Sequence, residues 1–427
     1  MKKKFPTFCL SLSIIISVIS CNSKPKEKKN KEHNTTVQKI NFDQGKNISL
    51  PYMVSTNETT LMSWVTKVND SISQLNYATL EDGNWSSPKK IVQGQNWFVN
   101  WADYPMIVEN NGTLLAHFLK KSSDETFAYD IKLNLQKSQD STWQTELPLY
   151  SDETKTEHGF MTLLPYKEHS FFVTWLDGRN MAADPKKESG HAGHHGTMSI
   201  RAAEIDKDGT VISEQILDSN TCTCCQTTAT ITSNGPIVLY RDRTDDEIRD
   251  IAITRLVDGE WTTPKFIHDD GWVIGGCPVN GPKVDAIGDD VAAAWFTAAN
   301  DQAQVKVAFS ENAGASFLKP ILVSNVGTLG RVDIVMTDSD HAIVSWMESI
   351  DNLTYLKAMK VNKLGEKFEP IIISKMDMSR SSGFPQMERT GNKILFAWTK
   401  VGDGTSEIEA AYVELKAFSN QSLGSWE

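Results

Sequence analysis

Leu61-Met62-Ser63-Trp64, a short apolar run closed by a large aromatic residue, decides the fold because it returns six more times. The copies are Leu114 to Phe118, Phe171 to Trp175, Ile237 to Tyr240, Val291 to Trp295, Ile343 to Trp346 and Ile394 to Trp398, at intervals of 51 to 65 residues. Recurrence at such a period marks a repeat architecture. Ahead of the runs lies another short apolar segment, often opened by Pro or Gly: Pro51-Tyr52-Met53, Pro105-Met106-Ile107, Phe160 to Leu164, Gly281-Pro282, Arg331 to Val335, Phe384-Pro385. Behind them come a third strand and a tight turn ending in an aromatic, as in Asp82-Gly83-Asn84-Trp85 and Asp258-Gly259-Glu260-Trp261. Each unit therefore reads as four short antiparallel strands. A sheet this small cannot cover its own faces, whereas radial packing around an axis buries both. The expected fold is an all-β propeller of seven four-stranded blades, with six as the alternative count. The last unit stops after its third strand, Glu407 to Leu415, while an orphan strand, Val37 to Phe42, opens the domain. Pairing these two would close the ring and remove two open edges.

Met1-Lys2-Lys3-Lys4 precedes an apolar run, Phe5 to Ile19, that is short for a membrane span and reads as a signal peptide, 1–20. Val18-Ile19-Ser20-Cys21 resembles the lipobox of bacterial lipoproteins, which implies lipidation of Cys21 and a membrane anchor in the cell envelope, facing the periplasm or the surface. Residues 21–36 form a lysine-rich tether with almost no apolar side chains to bury, 37–416 the propeller and 417–427 a tail. The first 33 residues hold eight lysines against two glutamates, so the net charge of −11 becomes −17 for the remainder, which argues against a nucleic-acid partner.

Ser310-Glu311-Asn312-Ala313-Gly314-Ala315-Ser316-Phe317 resembles the Asp-box turn of the sialidase and BNR-repeat propellers, with Asn312 where that motif has Asp. The resemblance implies a sialidase-like fold with these turns on the face away from the site. It does not extend to the sialidase chemistry. There is no Arg-Ile-Pro segment, and the first arginine is Arg179, so the first two units cannot contribute to an arginine triad. Any enzyme of this type would be a glycoside hydrolase other than a true exo-sialidase.

In a four-stranded meander the loops joining strands one to two and three to four share one end, and all other connections emerge at the opposite end. That opposite end, the mouth, should carry Asp177-Gly178-Arg179, the insertion Asn180 to Gly196, Arg241-Asp242-Arg243, Glu348, Trp101-Ala102-Asp103, His158, Cys222 to Cys225, Trp272 to Cys277, Arg331 and Arg380. Loops on a rigid scaffold are where function concentrates.

Cys222, Cys224, Cys225 and Cys277 enter consecutive blades at equivalent positions and should be neighbours. Two disulfides are the preferred reading, with a thiolate site for zinc or copper as the alternative. His191, His194 and His195, followed by Met198, add donors that suit the same metals. Arg179, Arg241, Arg249, Arg331 and Arg380, with Asp242 and Trp272, are candidates for gripping an anionic ligand or glycan, since guanidinium forks match carboxylates bidentately. Asp103, Asp250 and Glu348 are the candidate catalytic carboxylates. Three functions follow: an envelope lipoprotein binding, with hydrolysis as a further step, a glycan or other anionic ligand; a copper- or zinc-handling propeller; and a non-catalytic interaction scaffold.

Overall fold

A computed structural model of the chain describes residues 36–56, 59–182, 196–402 and 404–419. The expected signal peptide, Cys21 with nearly all of its tether, and His191, His194 and His195 lie outside the described residues.

Seven antiparallel sheets stand in a ring, each a blade of a β-propeller. Their first strands, Ile48–Ser55, Ile107–Asn110, His158–Tyr166, Thr228–Thr232, Lys283–Ile287, Thr328–Asp338 and Gln386–Thr390, meet one another around the axis. The ring closes as the orphan strand suggested. Val37–Ile40 pairs antiparallel with Thr405–Glu414, from Val37 opposite Val413 to Ile40 opposite Ala410. Phe42 then turns edge-on to Trp64 at 5.0 Å and to Trp85 at 5.8 Å, joining the closing strand of blade seven to blade one.

The recurring aromatics explain why these segments assemble. Trp64, Phe118, Trp175, Tyr240, Trp295, Trp346 and Trp398 all lie on second strands and are at most 3% exposed. Alternation puts apolar residues on both faces of each blade, so every blade needs a neighbour on either side. Asp82-Gly83 and Asp258-Gly259 adopt positive φ at both positions, the geometry of a type I′ hairpin. In the Asp-box-like turn, Ser310 Oγ accepts the Gly314 N–H at 3.0 Å, and Asn312 Oδ1 accepts the Ser316 N–H at 2.8 Å. Asn312 thus does with an amide oxygen what an aspartate would do. The Ala313 N–H bonds the Asp289 carbonyl of its own blade's first turn, which places both kinds of turn on one face.

Successive inner strands are pinned by side chains of the preceding blade. The N–H of Leu50 bonds Thr399 Oγ1 at 3.2 Å, that of Phe160 bonds Asp103 Oδ2 at 2.9 Å, that of Gly281 bonds Gln226 Oε1 at 2.9 Å and that of Arg331 bonds Asn280 Oδ1 at 2.8 Å. Leu50, Phe160 and Arg331 sit at β-bulges with positive φ, which turns each N–H out of its own ladder toward the neighbour. Farther along the axis, Asp285 and Asp333 accept the N–H groups of Met336 and Met387 at 2.6 and 2.8 Å. The propeller also runs past the expected boundary at 416. Phe418, in the turn Leu415–Ser419, is 1% exposed and packs between blades six and seven.

Candidate functional site

The connections into blades four and five bring the four cysteines together at the mouth. Residues 222–225 follow Val211–Thr221 and are stitched to blade four by the Cys222 N–H on the Arg241 carbonyl at 3.1 Å. Cys277 occupies the next connection, ahead of Lys283–Ile287. All four thiols are free. The sulfurs of Cys222 and Cys225 are 3.7 Å apart, and those of Cys222, Cys224 and Cys277 lie within 4.8 Å of one another. The disulfides expected from the sequence are therefore replaced by a cluster of thiols at contact distance, well beyond an S–S bond of about 2.05 Å. Their burial is graded: Cys222 and Cys225 are buried, Cys224 half-buried and Cys277 exposed.

The cluster ionises as a unit. Cys222 is held well below the ordinary thiol range, first by S–H groups of Cys224, Cys225 and Cys277 directed at it and then by Arg249, whose Nη1 is 3.4 Å from its sulfur. Hydrogen bonding within the cluster raises Cys224 and Cys277, and burial raises Cys225. The Arg249 guanidinium beside Cys222 is itself oriented by Glu247 through bonds of 3.2 and 2.8 Å.

Beside Cys222 lies a set of residues that sequence reasoning only half found. Tyr129 Oη donates to Glu157 Oε1 at 2.7 Å and approaches Asp103 Oδ2 at 3.4 Å. Asp103 is pushed up to about 8, by burial first, and Glu157 to about 7, also by burial. Asp103 Oδ1 has no hydrogen-bond partner and is the atom free to carry a proton. Gly159 admits this packing, since a Cβ there would strike Asp103 and come within 2.8 Å of Tyr129 Cε2. Glu157 and Tyr129 carry no local sequence signal, because they meet only across the seam between blades two and three.

Two of the arginines expected to clamp an anion, Arg241 and Arg331, spend most of their donors on backbone carbonyls. Arg241, 2% exposed, gives Nε and Nη2 to the Asn280 carbonyl at 3.2 and 2.8 Å, Nη1 to that of Arg249 at 2.6 Å and Nη2 to that of Phe296 at 2.7 Å, with Trp272 against its face. Arg331 donates to Ser382 Oγ at 2.7 Å, the Gly383 carbonyl at 2.9 Å and the Ser379 carbonyl at 3.2 Å, and burial lowers it to about 10. Arg179 pairs with Asp177 through two bonds of 2.7 and 2.6 Å. Arg380 is exposed and lies over the Trp101 ring.

The carboxylates are similarly committed. Asp250 caps the N–H groups of Gly271 and Trp272 at 2.7 and 3.0 Å. Glu348 accepts from Trp346, Ser324 and Lys357 at 2.8, 2.7 and 2.5 Å. Asp242 accepts the Arg243 N–H at 2.7 Å, and burial with Asp218 nearby raises it to about 7. His158 belongs to a second cluster: its Nε2 lies 3.1 Å from Asp152 and 3.7 Å from Asp177, and its ring stacks on Tyr150 at 4.7 Å. It packs against the connection that leaves the preceding blade.

The axis itself is plugged at this face. Gln226 Nε2 crosses to the Ala102 carbonyl at 2.6 Å, and Trp101 stacks on Phe384 at 5.6 Å under Arg331. A cavity of about 290 Å³ runs between the inner strands along the axis, and one of about 1030 Å³ lies at the opposite end; both touch Glu388 and Arg389.

No protein-family model matches the sequence, and no curated protein matches it. Among solved structures the chain is similar to a protein of unknown function from Dyadobacter fermentans, at 13% identity and a TM-score of 0.50 over 88% of this chain and 97% of that one. It is also similar to the α-L-arabinofuranosidase Arb93A of Fusarium graminearum, at 11% identity and 0.48 over 90% and 99% and, more distantly, to a Hadza microbial sialidase, at 12% and 0.40 over 70% and 63%.

The raised acid at Asp103 has a consequence for stability. From the ordinary carboxyl value of 3.8 to about 8, the folded chain keeps a proton that the unfolded chain gives up, so this group's contribution falls as pH rises through that window. We expect Asp103→Asn, which keeps an acceptor for the Phe160 N–H, to lose less stability than the wild type between pH 4 and pH 8 in urea unfolding. Parallel pH profiles for the two proteins would contradict a buried, protonated Asp103.

Proposed function

We propose that the corner formed by Cys222, Cys224, Cys225 and Cys277 holds one zinc or copper(I) ion. The observation that carries this reading is that the sulfurs of Cys222, Cys224 and Cys277, from two consecutive blade connections, lie within 4.8 Å of one another, with the Cys225 sulfur 3.7 Å from that of Cys222. A zinc ion with Zn–S bonds of about 2.3 Å sets neighbouring sulfurs about 3.8 Å apart, close to the 3.7 Å between Cys222 and Cys225. Thiolates are soft donors, and Arg249 beside Cys222, with Arg241 acting on Cys225, offsets the negative charge that coordination concentrates. Exposed Cys277 leaves the ion a route to solvent. His191, His194 and His195 are further donors supplied by the sequence. Reduced protein titrated with zinc or copper(I) should take up one ion per chain and lose that uptake in the Cys222→Ser/Cys277→Ser variant. Arg249→Gln should weaken affinity about 10- to 100-fold. Fully reduced protein that retains no ion after dialysis would end the reading.

A glycan or anionic ligand at the mouth is a second reading, favoured by Asp103, Tyr129 and Glu157, two carboxyls that share one phenol. It requires turnover of a panel of chromogenic glycosides that Glu157→Gln abolishes; an inactive wild type with no sugar binding would leave the metal reading alone. In either reading the protein works at the cell envelope, held by a lipid on Cys21. Fatty-acid labelling that survives Cys21→Ser would refute that anchor.

A further inference from the structure

The thiol corner has a second chemical capacity, set by its exposure gradient. Among the described cysteines only Cys277 is exposed, and its sulfur lies within 4.8 Å of those of both Cys222 and Cys224. At that separation the sulfurs are near neighbours, and an S–S bond of about 2.05 Å is the covalent product open to them. Thr223 Oγ1, 3.0 Å from the Cys277 sulfur, sits at the same opening. Cys277 is also carried on a connection, 274–279, with no regular strand or helix, between two blades pinned elsewhere. One thiol thus faces solvent on an irregular segment, with two others directly behind it.

We propose that this corner performs thiol–disulfide exchange, with Cys277 attacking an external disulfide and Cys222 or Cys224 resolving the product. The Cys277 sulfur bonds to one sulfur of the external disulfide and expels the other as a thiol. The second cysteine then bonds to Cys277 and expels the remaining half as a second thiol. Two cysteine thiols are oxidised to one disulfide, one external disulfide is reduced to two thiols, and the protons pass from the cysteines to the leaving groups. The oxidant is a low-molecular-weight or protein disulfide. The product ties the connections into blades four and five together and removes two of the four metal donors, so oxidation would empty the metal site. The exchange uses the thiols of the metal reading and does not depend on a metal being bound.

The test treats reduced, full-length protein in chelator with glutathione disulfide, following intact mass and released glutathione. The wild type should release two glutathiones per chain and end two hydrogens lighter. Cys277→Ser should react at least about tenfold more slowly, because the remaining thiols are shielded. In Cys222→Ser/Cys224→Ser a glutathione adduct should accumulate at Cys277. A wild type that stops at the adduct, or a Cys277→Ser variant that reacts at the wild-type rate, overturns the proposal. Titration of both redox forms with zinc and with copper(I) separates the two readings. If neither form binds either ion, the metal reading fails and exchange stands. If the oxidised form binds zinc as the reduced form does, the link between them is wrong.

Discussion

The structure depends on hydrogen bonds that run from the inner-strand backbone of one blade to a side chain of the blade before it. An inner strand has a blade partner on one edge only, and its other edge faces a crowded axis where unpaired N–H groups would be costly. Thr399, Asp103, Gln226 and Asn280 supply acceptors to four such groups near the mouth, and Asp285 and Asp333 to two more below. Each bond contributes modestly when made and costs more when one partner is removed. They fix the rotation of the blades across five of the seven seams, and therefore the position of the loops that those seams carry at the mouth.

Much of the ring was legible because a blade repeats a side-chain pattern. Trp64, Trp175, Trp295, Trp346 and Trp398 announce second strands, Asp82-Gly83 and Asp258-Gly259 announce hairpins, and the missing last strand asks for Val37–Ile40 to supply it. These signals are local, or depend on counting strands. The roles of the mouth residues depend on what stands across a seam. Arg241 reads as a free guanidinium in sequence, yet its donors end on carbonyls of Asn280 and Phe296, some 39 and 55 residues away. Nothing in the sequence marks a carbonyl as unpaired. Glu157 and Tyr129 were missed for the same reason, since their bond spans 28 residues between blades.

Using arginines as braces has an electrostatic consequence for the thiols. Arg241 and Arg249 bring positive charge to the seam between blades four and five, where an unpaired buried cation would be expensive. Backbone carbonyls satisfy the donors of Arg241 without cancelling its charge, and only Glu247 pairs with Arg249. Asp250 also faces Arg241, and within that balance Arg249 acts on Cys222 and Arg241 on Cys225. Protonated thiols pack there as small hydrophobes, and a thiolate forming at Cys222 meets a cation already in position.

That arrangement separates the stability of the corner from its chemistry. Gln226 on the Gly281 N–H, Arg241 on Asn280 and the Cys222 N–H on Arg241 hold the two connections in register with no sulfur taking part. The sulfurs of Cys222, Cys224 and Cys277 are thus brought to within 4.8 Å of one another by the fold, with no ion or S–S bond needed to gather them. A site prepared this way avoids ordering its donors at the moment of binding, so more of the bond energy appears as affinity. The bonds that close the ring lie elsewhere, so a change at these sulfurs leaves the ring closed. A disulfide needed for structure would give the opposite arrangement, with the cysteines doing the work that Gln226, Asn280 and Arg241 do here.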